Sequence, residues 1–208
     1  MLKNKILFIG ESKKFIESFK IALNCNSYDI LSWRKIDGGM SLSFDHNILV
    51  ICGYNHQSYH LTYNEYYKAN IEAPYNFIMK NFKKNILIYY INTSLPVRNE
   101  TFSRYCFAKH KLSIDLNKKF ENFYSIEIPL LLDDKNNVDF YAGLFEKKIA
   151  FIIMKIKRYP YIKISELSNL IKTKIENRKK YNLENLNGKY LYIIRTRFID
   201  KILRIILS

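Results

Sequence analysis

Apolar positions along this 208-residue chain follow two rhythms. Short uninterrupted runs, Ile6-Leu7-Phe8-Ile9, Ile48-Leu49-Val50-Ile51-Cys52 and Ile86-Leu87-Ile88-Tyr89-Tyr90-Ile91, have no polar face. A strand can be apolar on both sides only where both sides of its sheet are covered, so these runs predict buried strands of a parallel sheet. Tyr28 to Trp33 and Tyr124 to Leu132 read as two more strands, the latter broken by Pro129, and a short one is expected around Tyr161 to Ile164. Between the runs the spacing changes to three and four. Phe15, Ile16, Phe19, Ile21 and Ala22 predict a helix over 11–23 with Ser12 as its N-cap. Further helices are expected over 61–82, 101–116, 140–155 and, capped by Ser165, up to about 177. Strands alternating with helices predict an α/β fold, a doubly wound, Rossmann-like parallel sheet over 1–132. Residues 133–208 then form a reduced C-terminal substrate region.

Composition narrows the function classes. The chain carries 34 Lys+Arg against 19 Asp+Glu, a net charge of +15, which points to nucleic acid, a membrane surface or an anionic small molecule. Part of the excess reads as general Lys, Asn, Ile and Tyr richness. The three cysteines, Cys25, Cys52 and Cys106, have no paired spacing, which argues against a disulfide framework or a zinc site and for a reduced, cytoplasmic protein. His56 and His60 stand four apart without an acidic cluster beside them, so no metal site is read there. The apolar start is too short for a signal-peptide core, and no run reaches the length of a membrane-spanning helix. The tail is amphipathic: apolar residues interleave with Arg195, Arg197, Lys201 and Arg204. Residues 193–207 therefore read either as a packed terminal helix, with a homodimer interface as one use, or as peripheral contact with the inner membrane. No nucleic-acid motif accompanies the charge.

In a doubly wound sheet the ligand sits beyond the carboxyl ends of the strands. Gly10, Arg34, Gly53 and the Thr93-Ser94 pair occupy such ends here. The helix after Ser94 contains Tyr105 and Lys109, four apart and so on one face. A neighbouring ammonium lowers a phenol's pKa, which lets a tyrosine exchange protons near neutrality. The only other Tyr and Lys at this spacing, Tyr159 and Lys163, have Pro160 between them and cannot share a helical face.

With these strand ends and this helix, residues 3–175 resemble the short-chain dehydrogenase/reductase superfamily. The branch most like it is the extended sugar-nucleotide epimerase and reductase group, which includes dTDP-4-dehydrorhamnose reductase-like proteins. The resemblance lies in KILFIG, LSWRK, HNILVICGYN, YYKANIEAPYNFI, NILIYYINTSLP and YCFAKHKLS. It implies NAD or NADP as cofactor, with Tyr105 as acid/base and Lys109 binding the nicotinamide ribose. Ser94, with Thr93 beside it, would hold the reacting oxygen. Gly10 and Gly53 would let the cofactor approach closely, Asn70 would support the active-site helix, and Pro129 would lie near the nicotinamide. Arg34 would meet a 2′-phosphate. The chain departs from the family after its first strand, where Gly10 alone remains of a glycine-rich turn. Lys13 and Ile16 stand in place of the other glycines, Ser12, Lys13 and Lys14 are left to meet the phosphates, and Glu11 brings the wrong charge. The segment from Arg34 to Asp45 is short, which predicts a missing strand.

The expected function is that of an NAD(P)-dependent oxidoreductase or epimerase-like enzyme acting on a nucleotide- or lipid-linked sugar in bacterial surface-polysaccharide synthesis. The alternative is a degenerate, non-catalytic Rossmann-fold subunit that binds a protein partner or senses a cofactor.

Overall fold

The computed structural model describes residues 5–36, 44–56, 61–94, 104–135, 137–139 and 160–177. The expected helix over 140–155 and the basic tail 193–207 lie outside them. Strands β1 (Ile6–Ile9), β2 (Tyr28–Leu31), β3 (Ile48–Ile51), β4 (Leu87–Thr93) and β5 (Asn122–Ile128) form one all-parallel sheet in the order β2-β1-β3-β4-β5. The order reverses between β1 and β3, and the crevice outside that point is where such sheets take ligands. The fold is α/β and Rossmann-like. Among the described residues β2 is the edge strand, with no further strand beyond it.

The continuous apolar runs are divided between two layers by the alternation of a strand. Ile6, Phe8, Ile48, Val50, Tyr89 and Ile91 face one side with Ile16 and Phe19 of α1 (Lys13–Leu23) and Leu167, Ile171 and Ile175 of α5 (Leu167–Glu176). Leu7, Ile9, Leu49, Ile51, Ile88 and Tyr90 face the other. They meet Phe77 and Ile78 of α3 (Ala73–Asn81) and Leu112 and Leu116 of α4 (Arg104–Asn117). All eight residues of β1 and β3 are buried. Each large apolar side chain contributes roughly 1.5–3 kcal/mol, so neither face could lose its helices and stay folded.

Where elements end differs from the sequence pattern for local reasons. β2 stops at Leu31 because Ser32 leads into a 3-10 turn, Trp33–Lys35. The helix expected over 61–82 is interrupted: α2 (Tyr63–Tyr67) passes into a π turn (Lys68–Glu72) before α3. Thr62 and Glu65 close the start of α2 as a capping box. Pro129 separates β5 from β6 (Leu130–Leu132), which pairs in parallel with β7 (Tyr161–Lys163) in a separate ribbon. Ser165 sits inside a 3-10 turn, Ile164–Glu166, and α5 begins after Glu166 instead. Residues 160–177, which the sequence pattern assigns to the C-terminal region, therefore pack on α1 in the same core as the sheet.

Candidate functional site at the carboxyl ends of the strands

Gly10 follows β1 with φ +118, a conformation that L side chains rarely adopt. A Cβ there would stand 2.4 Å from the backbone nitrogen of Gly53, so the turns after β1 and β3 meet backbone to backbone. Gly53 has its own reason to lack a side chain: an added Cβ would lie 2.1 Å from the ring of Trp33. The close approach expected of a cofactor at Gly53 is thus made by the protein's own indole. Trp33 is only 6% exposed, and its Nε1 has no hydrogen-bond partner among the described residues. A buried unpaired N–H costs roughly 1–3 kcal/mol.

Lys109 is 3% exposed and its ammonium donates to the carbonyls of Gly53 (2.9 Å) and Ile91 (3.1 Å), 5.1 Å from the ring centre of Tyr90. The carbonyls at the ends of β3 and β4 therefore hold the amine beneath the site. Burial pushes its pKa down to about 8, and the neighbouring Cys52 thiol opposes the shift. Two of its three N–H bonds are engaged there, which leaves one to meet a ribose hydroxyl. One turn earlier on α4, the half-buried ring of Tyr105 meets Tyr54 edge to face (4.8 Å between centres) and stacks on His56 (6.4 Å). Ser94, just past β4, keeps its side-chain oxygen buried without a partner among the described residues. Thr93 is buried at the last position of β4.

Asn70 lies in the π turn, 1% exposed. Its amide oxygen accepts from the Asn55 backbone at 2.7 Å and its nitrogen donates to the Tyr66 carbonyl at 3.2 Å. It ties the loop after β3 to α2. Pro129 is half-buried between β5 and β6.

Cations gather over these strand ends. Lys13 is exposed and Lys14 half-buried in the first turn of α1, which holds no acidic residue, so both oppose the helix dipole. Lys14 pairs with Asp139. Ser12 is the N-cap as expected, but its side chain makes no capping bond. Arg34 lies exposed in the 3-10 turn after β2. The pKa of His56 is depressed first by burial and then by the positive charges of Lys109, Lys14 and Arg34. The sequence pattern weighed His56 only as a metal ligand. Its place just beyond a strand end was the available signal that it belongs to this site.

Trp33, Arg34, Ile36, Asn55 and Ala69 line a cleft of about 280 Å³ between the ends of β2 and β3. That volume is near the lower end for small-molecule sites. Apolar walls, a guanidinium and an orphaned indole N–H nearby fit a nucleoside phosphate. In the turn of Gly10, Glu11, Ser12 and Lys13 the one lysine is offset by Glu11 and only the first residue is a glycine, so the turn fits a pyrophosphate less well than the cleft fits a nucleoside phosphate. No family model matches the chain, and no curated protein matches it either. Among the described residues no helix is long and apolar enough to cross a membrane.

Proposed function

We propose that the chain is an NAD(P)-dependent oxidoreductase or epimerase-like enzyme acting on a nucleotide- or lipid-linked sugar. One observation carries this reading: Tyr105 and Lys109 stand a turn apart at the carboxyl ends of β3 and β4, beside cations that depress the pKa of His56. The unpartnered Ser94 oxygen at the end of β4 adds a hydrogen-bonding group for a reacting oxygen. The sugar class rests on the sequence resemblance.

NAD(P), when bound, gives or takes the hydride at the nicotinamide. Tyr105 moves the proton, its phenol donating to a carbonyl being reduced or its phenolate accepting from an alcohol being oxidised. Ser94 donates a hydrogen bond to that same oxygen and orients it. Lys109 supplies positive charge beneath Tyr105, and a positive field favours the phenolate. His56, its pKa below the usual value, stays uncharged at neutral pH. Arg34, exposed at the end of β2, draws phosphates to the mouth.

Tyr105→Phe removes the proton carrier and keeps the ring. It is expected to lower turnover of a nucleotide-linked sugar by 10²–10⁴-fold, on the order of a general acid/base contribution, with cofactor binding retained. Unchanged turnover would remove Tyr105 from the chemistry.

The second reading, a degenerate subunit that binds a partner or senses a cofactor, draws on Lys13 and Ile16 in place of glycines and on the carbonyl bonds that hold Lys109. It expects nucleotide binding without turnover, or neither.

A further inference from the structure

Trp33 follows β2 and Gly53 follows β3, and in the sheet β1 runs between those two strands. The indole still reaches Gly53: a Cβ added there would clash with Cγ, Cδ2 and Cε3 of its ring. It therefore lies across the end of β1, over the crevice where the strand order reverses. Trp33 is buried, yet its Nε1 has no partner among the described residues, so this position suits the apolar ring and leaves its N–H unsatisfied. The two halves of the site flank it. Toward β2 is the cleft of about 280 Å³, which Trp33 lines together with Arg34, Ile36, Asn55 and Ala69. Toward β4 is Lys109, whose ammonium donates to the carbonyl of Gly53 itself and to that of Ile91. A mononucleotide can occupy the cleft and leave the indole where it is. A dinucleotide has to reach from the cleft to Lys109 and Tyr105, and Gly53, which stands between them, is covered by the indole.

We propose that Trp33 is an autoinhibitory plug: in the free protein its indole closes the crossing between the cleft and the Tyr105 and Lys109 pair, and a dinucleotide binds only when the indole is displaced. This rests on the dinucleotide reading above and adds a conformational step to it. The ligand supplies the free-energy difference between the two indole positions, and its apparent affinity falls by the fraction of molecules in which the crossing is open. Gly53 then serves the closed state, since its missing side chain makes room for the ring. The unsatisfied N–H disfavours that state and keeps the displaced one within reach of a ligand's binding energy.

Trp33 is the single tryptophan of the chain, so fluorescence follows the indole directly. The test records the emission maximum and acrylamide quenching of the full chain with ADP, NAD⁺ and NADP⁺, the binding of each being measured independently by calorimetry. ADP is expected to leave the indole shielded, with the emission maximum of the free protein. The dinucleotide that binds is expected to shift the emission to the red and to increase quenching. Trp33→Leu shortens the plug and keeps an apolar residue. It is expected to bind that dinucleotide about tenfold or more tightly than wild type, because a minor state of this kind is populated at about 10% or less, with no such gain for ADP. A dinucleotide that binds while emission and quenching keep their free-protein values, or that binds Trp33→Leu no more tightly than wild type, overturns the plug and leaves the dinucleotide reading standing. Binding of neither dinucleotide to wild type or to Trp33→Leu overturns both, and binding to Trp33→Leu alone supports the plug. If Trp33→Leu loses the wild-type circular dichroism spectrum, the wild-type chain decides by the same fluorescence and binding criteria.

Discussion

At the residue scale, Lys109 is the most constrained group in the site. Its folded-state pKa of about 8 lies below the value of about 10.4 it has in the unfolded chain. Between those values the unfolded chain holds more protons than the folded one, so stability rises with pH across that window. Urea midpoints at pH 8 and pH 10 should therefore differ more in wild type than in Lys109→Met, which removes the titrating amine. Equal pH dependence in the two proteins would show that Lys109 is not buried as described. Gly10 makes a sharper demand. Gly10→Ala places a Cβ against the Gly53 backbone and strains a positive φ, at an expected cost of roughly 2–4 kcal/mol read from urea denaturation. The Tyr105 and Lys109 spacing showed in the sequence which helical face the two residues share. It could not show how deep each sits, because depth depends on which strand ends the helix crosses.

At the element scale, the buried strands were legible and their boundaries were not. An apolar run such as Ile48 to Cys52 states that both faces are covered, and the structure sends its alternate residues to different helical layers. The 3-10 turn that ends β2 and the π turn around Asn70 leave no periodic mark, since each shifts the backbone by less than the hydrophobic pattern resolves. These unmarked turns hold much of the site: Trp33 and Arg34 in one, Ala69 and Asn70 in the other. Asn70→Ala would remove the 2.7 Å bond to the Asn55 amide and is expected to destabilise by about 1–3 kcal/mol, with weaker nucleotide binding because Asn55 lines the cleft. α5 is a different case. Its packing on α1 joins residues more than 140 positions apart, which local periodicity cannot pair. Ile171→Ala, at a fully buried position of that contact, should cost 2–5 kcal/mol, on the order of other large-to-small core changes, in the same denaturation assay.

At the scale of the whole molecule, the net charge of +15 acquires a direction. Lys14, Arg34 and Lys109 bear on one imidazole beyond the carboxyl edge of the sheet, where the strand order reverses. An anion bound there should relieve that field. The pKa of His56, below about 6.5 in the free protein, is expected to rise when ADP binds, and NMR titration of the ring protons with and without ADP reads the change. An unmoved His56 in the presence of saturating nucleotide would separate the cations from the ligand. The central claim is that this edge of the sheet binds a nicotinamide dinucleotide. Calorimetric titration of the full chain with NADH and NADPH tests it most directly. The account expects one of the two to bind with a micromolar Kd, and it is contradicted if neither binds at millimolar concentration.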